Sequence, residues 1–439
     1  MYTGASRHGQ TILRCLGAAG ASISAAVGLT QVVDYPNTVE LEAHKSAKPL
    51  EESDLELRFV QVVFRHGARA PLTEKYGAHS HKWDYCHRAY EPVPIDIKGL
   101  EGTKRPQSQS DERQKKVVFK GGCKKGQLTH MGQVQALQLG TWLRQRYHTQ
   151  QAFLPESYNA DVLKVRSTNI SRTLDTVTGV LSGLYPDTQE PILVETCEDS
   201  KEWLYPNHRH CKRLEQLIAG KRRRMRESGK TDYVSELESK LREALEISDK
   251  EEDISFTALY DVSHSVKFHS NQHHQSMSDG LLKELELKAV EAMKGFVAPE
   301  DNQEMVSLSI GKVLKDILQN MDQAASGKTV NAKMQLFSGH DTTLMPILVA
   351  LGHELVRWPP FMSNLIFELY WSRSLQKHFV RIVYNKQVLR LKGDNGEGFV
   401  ELSTFNQQLQ KFISTDYNSA CSAQGRDSKN ASSVNVSGV

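Results

Sequence analysis

Leu57-Arg58-Phe59-Val60-Gln61-Val62-Val63-Phe64 runs without a break into Arg65-His66-Gly67-Ala68-Arg69-Ala70-Pro71. The first segment is β-branched and aromatic, and too apolar to alternate between a wet and a dry face, so it predicts a central strand covered on both sides. In an open α/β sheet, ligands bind beyond the carboxyl ends of the strands, and Gly67 lets the backbone turn sharply there. The polar cluster therefore falls where a site is expected.

That cluster sets two guanidiniums around one imidazole. Each guanidinium is a planar fork of donors matched to phosphate oxygens, and a neutral imidazole can attack phosphorus. Arg65 and Arg69 are thus candidate phosphate clamps and His66 a candidate covalent nucleophile. Their charge would also stabilise the equatorial oxygens during transfer.

Further along the chain, the apolar period fades between Tyr76 and Gly126, which reads as an irregular insertion able to overhang the site. Leu128 to Tyr147 reads as a helix started by Thr129, and Asp161 to Val165 as a short strand leading into Arg166. Arg166 is the candidate third phosphate ligand, and Arg172 follows six residues later on the next predicted helix. Polar helices dominate from Lys201 to about Gln323. Lys333 to Phe337 restores a strand ending in Ser338-Gly339-His340-Asp341, where one side chain can bind phosphate (His340) while the other protonates the departing alcohol (Asp341). Strands over 364–371, 378–384 and 387–391 close the pattern.

These segments predict an α/β core, a sheet flanked by helices, with a smaller, mainly helical cap domain made from insertions. The expected boundaries are a leader over 1–32, core segments 50–75, 127–200 and 330–420, cap insertions 76–126 and 201–329, and a flexible tail over 421–439.

Composition narrows the function classes. The 439 residues are 39% hydrophobic, and 55 basic residues nearly cancel 52 acidic ones. Such a balance gives no global attraction to nucleic acid, and none is expected as a partner. The run Lys221-Arg222-Arg223-Arg224-Met225-Arg226 reads first as a solvated helix face and second as a peripheral contact for an anionic membrane. Six cysteines without a C-x-x-C pair argue against a disulfide framework. If Cys15 leaves with a leader, the remaining five are odd in number, which leaves at least one free and favours a reducing compartment. Cys197, His208, His210 and Cys211 fit no standard zinc spacing, so no metal is expected. The first 33 residues hold Arg7 and Arg14 but no acid, the profile of a mitochondrial transit peptide; the uncharged stretch from Cys15 to Val33 keeps a secretory signal as the alternative. Sequons at Asn169, Asn430 and Asn435 would matter only on that alternative.

Phe64 to Pro71 resembles the R-H-G-x-R-x-P signature of the histidine acid phosphatases, a branch of the histidine phosphatase superfamily. Leu128-Thr129 with Gly132 and Leu139 resembles that family's L-T-x-x-G helix, and Ser338 to Thr342 resembles its late H-D motif. The three stand in the family's order across nearly the whole chain. The resemblance implies a phosphohistidine at His66, phosphate contacts from Arg65, Arg69, Arg166 and His340, proton donation by Asp341, and a mechanism with neither metal nor cofactor. It points to a phosphorylated lipid, lysophosphatidic acid, hydrolysed to monoacylglycerol by a monomer, with phosphotyrosine or inositol phosphates as the alternative substrates. A phosphate-binding scaffold without turnover is the non-enzyme alternative; it would be expected to have lost His66 or Asp341. One departure from the pattern is Asn169, where the family usually has Asp. Apolar walls around Asp341 would raise its pKa toward neutrality.

Overall fold

The computed structural model describes residues 50–229, 231–247, 253–270, 277–299, 301–327 and 332–422. The predicted leader, Asn430, Asn435 and the tail beyond Ser422 lie outside the described residues. Nine strands form one sheet: β1 (Leu55–Arg65), β2 (Ile95–Gly99), β3 (Leu163–Ser167), β4 (Ile192–Thr196), β5 (Met334–Gly339), β6 (Asn364–Ser372), β7 (Lys377–Tyr384), β8 (Gln387–Leu389) and β9 (Phe399–Glu401). The order is β2-β4-β3-β5-β1-β6-β7-β8, with β9 also paired to β7. Pairing is parallel from β2 to β1 and antiparallel from β1 onward.

The helices are α1 (Gln109–Gln114), α2 (His130–Arg144), α3 (Ser171–Leu184), α4 (Lys212–Glu227), α5 (Asp232–Leu245), α6 (Phe256–Ser270), α7 (Asp279–Val297), α8 (Gln303–Ala325), α9 (Asp341–Ala350), α10 (Leu402–Gln410) and α11 (Tyr417–Ser422). β1 occupies the middle of the sheet and is buried from Phe59 to Arg65. Its even residues Val60, Val62 and Phe64 share a core with Leu163, Val165 and Leu336 and with Leu143, Val177 and Leu181 of α2 and α3. A strand's period of two sends the odd residues to the other face. There Gln61 donates to the Ile317 carbonyl of α8 at 3.0 Å. Helices thus cover both faces, the arrangement the apolar run predicted.

Helices α4 to α7 make their main contacts with one another and with α8, α9 and α11. Two boundaries move. The 76–126 insertion contributes β2, which extends the sheet edge by pairing with β4 (Ile95↔Ile192); five residues with alternating polarity gave too faint a signal. Helix α8 falls inside the range assigned to the cap, yet Asn320 bonds Gln61 and Gln335 of two central strands at 3.0 and 2.7 Å. It is a sheet-covering helix.

The cysteine reading is also corrected. Cys86 pairs with Cys123 and Cys211 with Cys421, leaving Cys197 as a buried free thiol among the described residues. The partners lie 37 and 210 residues apart, so no local spacing could reveal them. Cys211, tied to α11, is unavailable to the zinc grouping considered from sequence.

Candidate active site

The loop that follows β1 is held by close backbone contact. A Cβ on Gly67 would strike the Gly132 carbonyl, and one on Gly132 would strike the Ala68 carbonyl. The same Ala68 carbonyl accepts from the Thr129 amide and hydroxyl, both at 3.0 Å, while Thr129 also caps α2 by accepting from the Gly132 amide. This explains the L-T-x-x-G spacing: threonine and glycine one turn apart clamp the loop that carries His66 and Arg69. The Gly67 amide adds a bond to the Thr176 hydroxyl of α3 at 3.1 Å.

Strands β1 and β5 pair Arg65 with Gly339, so His66 and His340 leave the sheet side by side, their rings 5.6 Å apart. His66 Nδ1 lies 2.9 Å from the Gly67 carbonyl. A carbonyl only accepts, so Nδ1 carries the hydrogen and Nε2 keeps its lone pair. Burial first, then Arg69, Arg172 and Arg65, hold the His66 imidazole well below its ordinary pKa. A neutral ring with a free Nε2 is what nucleophilic attack needs.

Around it stand buried cations. Arg69 pairs with Asp261 of α6 at 2.8 Å. Arg172 donates to Gln114 of α1 at 3.2 Å and sits 3.4 Å from His340 Nδ1. Burial and the neighbouring Arg69 bring Arg172 down to about 9. The Nε atoms of Arg65, Arg69 and Arg172 are buried with no acceptor. The Nε of Arg166, outside the cluster, is in the same state, so what suits the pocket to an anion is the crowding of Arg69 and Arg172 beside His66 and His340. His340, which bonds the Thr168 hydroxyl at 3.1 Å, is likewise held well below its ordinary value by burial and Arg172.

Asp341 starts α9. Its Oδ2 accepts from Arg65 at 2.9 Å and from the Trp358 indole at 3.0 Å, and its Oδ1 from the Thr342 amide at 2.8 Å. Burial would raise this carboxyl, but Arg65, Arg69 and His340 outweigh it and hold it at about 2. The sequence-based expectation of a raised value is therefore overturned: the walls around Asp341 are cationic. Arg65 faces this carboxylate rather than the cavity, with Phe361 4.4 Å from its guanidinium.

Arg166 is not in the cluster. It sits level with Phe337 and hence with Val63, two residues short of the strand end where Arg65 lies. There it is buried against Glu202 at 2.9 Å, with the Trp203 ring 4.8 Å away. Arg172, the second residue of α3, stands beside His340 instead. A position in the first turn of a helix at the sheet's carboxyl end was the available signal. Asp261, His264, Trp358 and Phe361 carried no signal of their own; they arrive from distant segments. Asn169 is buried, accepting from Arg105 at 2.9 Å and donating to the Pro106 carbonyl at 2.8 Å; an aspartate could not make the second bond. The start of α3 is capped instead by Asp111, which accepts from the Ser171 amide and hydroxyl at 2.9 and 2.7 Å.

His66, Arg69, Arg172, His340 and Asp341 line one end of a cavity of about 670 Å³. The same cavity is lined by the apolar side chains Ile218, Met293, Phe296 and Val297 of α4 and α7, and by Tyr260 and Trp358. His208, Arg209, His210 and Arg222 stand exposed at the rim.

The sequence model of the histidine phosphatase superfamily (branch 2) matches residues 56–385. Lysophosphatidic acid phosphatase type 6 of Mus musculus is 31% identical over 352 residues, covering 79% of this chain and 83% of the mouse protein. The Homo sapiens protein of the same name is 31% identical over 358 residues, covering 79% and 81%. Among solved structures, the phytase from Citrobacter braakii superposes with a TM-score of 0.56 at 15% identity, covering 84% of this chain and 100% of that one, which supports the fold. With the R-H-G and H-D motifs meeting at one anion-seeking cavity, the chain belongs to the histidine phosphatase superfamily, branch 2, and is a histidine acid phosphatase.

Proposed function

We propose that this enzyme hydrolyses lysophosphatidic acid to monoacylglycerol and phosphate through a phosphohistidine at His66. The observation that carries the reading is the mixed lining of this cavity: Arg69, Arg172, His340 and His66 share it with the apolar side chains Ile218, Met293, Phe296 and Val297. A molecule with one phosphate and one acyl chain matches both ends.

Phosphate would seat against Arg69 and Arg172, the two guanidiniums of the cluster that line the cavity. Its negative charge offsets the cations that keep Asp341 ionised, raising that carboxyl toward a value at which it holds a proton. His66 Nε2 then attacks phosphorus as the ester P–O bond breaks, and Asp341 gives its proton to the leaving glycerol oxygen. Water next attacks the phosphohistidine. Asp341 takes a proton from that water, the P–N bond breaks, and the electron pair returns to Nε2. Trp358 and Arg65 orient the Asp341 carboxylate throughout.

The exposed basic rim favours a second reading, an inositol polyphosphate. Against it, those four residues are exposed at the rim, and the cavity also presents the apolar side chains Ile218, Met293, Phe296 and Val297, for which an inositol polyphosphate has no use. Phosphate release from oleoyl lysophosphatidic acid, phosphotyrosine and phytate by the full chain, with a His66→Ala control, separates the readings. Preference for phytate would sink the lysolipid assignment.

The two disulfides bear on the address. Such bonds persist in oxidising compartments, which supports the secretory alternative over the mitochondrion. Fractionation of cells expressing the full chain tests this; recovery in the mitochondrial matrix would refute it.

A further inference from the structure

Helix α4 carries seven Lys and Arg against Glu215 and Glu227, a surplus of five positive charges in a chain whose whole surplus is three. Lys221 and Arg224, Arg222 and Arg226, and Arg223 and Arg226 stand three or four residues apart, so like charges face one another along the helix. One flank is answered by carboxylates: Arg213 meets Glu304 at 2.7 Å and Lys221 meets Asp301 at 3.7 Å. Arg222, Arg224 and Arg226 are exposed and meet no carboxylate among the described residues.

The unanswered flank leads out of the cavity. Ile218 lines the interior and is buried; Arg222, one turn on, lines the same cavity at its rim and stacks 5.0 Å over Phe296. Another turn brings Arg226 and Met225, the latter 49% exposed. His208, Arg209 and His210 flank the rim. The ridge thus passes from apolar interior to guanidinium rim to an open basic surface bearing one exposed methionine. Guanidiniums pair with phosphate groups, and an apolar side chain among them can enter the boundary below.

We propose that α4 and the 208–210 turn form the face on which this enzyme sits on an anionic lipid surface, with the cavity mouth turned to the bilayer so that substrate reaches His66 directly from the membrane. The proposal rests on the lysolipid reading for what fills the cavity. Because the rest of the chain carries no positive surplus, attraction to an anionic surface would also orient the molecule mouth-down.

Sedimentation of the full chain with vesicles of phosphatidylcholine and phosphatidylserine (3:1) or phosphatidylcholine alone tests it. Binding is expected only with phosphatidylserine, and should disappear at 1 M salt, where screening acts within about 3 Å. Each arginine near such a surface is worth about a fivefold change in partition, so the R223A/R224A/R226A variant should bind roughly 100-fold more weakly. Its turnover of soluble p-nitrophenyl phosphate should be unchanged, which confirms a folded site. A K164A/K377A/K386A variant, losing equal charge elsewhere, should bind like the parent. Equal binding by parent and arginine variant, or equal losses in both triples, would overturn the docking face and leave the substrate reading standing. Retention on single-stranded RNA without vesicle binding would overturn it too. Vesicle binding intact in an enzyme that ignores lysophosphatidic acid would uphold the face and remove the substrate reading.

Discussion

The two ends of the cavity are built differently. At the phosphate end, His66, His340, Asp341 and Arg172 stand at strand ends or helix starts of a sheet buried on both faces, and each is buried or nearly so. At the far end, Ile218, Met293, Phe296 and Val297 come from helices that pack mainly on other helices, under an exposed rim. Chemistry needs atoms held within fractions of an ångström, which a sheet supplies. Selection among phosphomonoesters needs only shape and polarity, which the helical end can vary without disturbing the first.

If the sheet end alone performs the chemistry, His66→Ala should lower turnover of every substrate by on the order of 10⁴-fold or more, measured as kcat with soluble and lipid phosphomonoesters alike. A substrate that survives the change would break the comparison. Asp341→Asn should cost about 10²–10⁴-fold, and more for lysophosphatidic acid than for p-nitrophenyl phosphate, because an alkoxide needs the proton and a nitrophenolate hardly does. Equal losses would remove Asp341 as the proton donor.

Arg172 and Arg166 sharpen the boundary of the phosphate end. Arg172→Ala should lower kcat/KM by about 10²–10³-fold with little change in Tm. Arg166→Ala leaves Glu202 charged and buried without its partner, so it should destabilise by about 3–5 kcal/mol while the folded fraction keeps near-normal kcat/KM. The reverse pattern would restore Arg166 to the site.

Acid should loosen the phosphate end. Burial beside Arg65 and Arg69 brings His264 to about 3, and His66 and His340 are depressed in the same direction. The unfolded chain protonates its histidines near pH 6.5, whereas the folded chain resists. Their contribution is fully present above that pH and is lost as pH falls from 6.5 toward 3. For His264 alone this is about 2–3 kcal/mol at pH 4.5, so His264→Phe should flatten the decline of Tm between pH 6.5 and 4.5. The smallest effect belongs to the far end: Met293→Glu should raise KM for oleoyl lysophosphatidic acid by roughly tenfold and leave p-nitrophenyl phosphate untouched.

Much of the sheet end was legible from sequence because its signals are local. An unbroken apolar run marks β1, a glycine marks the turn after it, and strand-to-helix junctions mark His66 and Asp341. That Arg172 rather than Arg166 stands beside His340 was not legible, because adjacency to a predicted strand does not say how many residues of that strand remain inside the sheet. The low pKa of Asp341 was out of reach for the same reason: Arg65 and Arg69 lie far from it in the chain, and only the parallel pairing of β1 with β5 brings their charges against it.

By itself, then, the order of residues determined the strand, the turn, the catalytic motifs and the helices on both faces, since period, propensity and glycine placement act between near neighbours. Tertiary structure alone decided which arginine stands beside His66 and His340, which cysteines join across 37 and 210 residues, and that apolar side chains of α4 and α7 share a cavity with the cationic cluster. Those outcomes depend on strand register and helix packing, which couple residues through space at separations where sequence spacing carries no information.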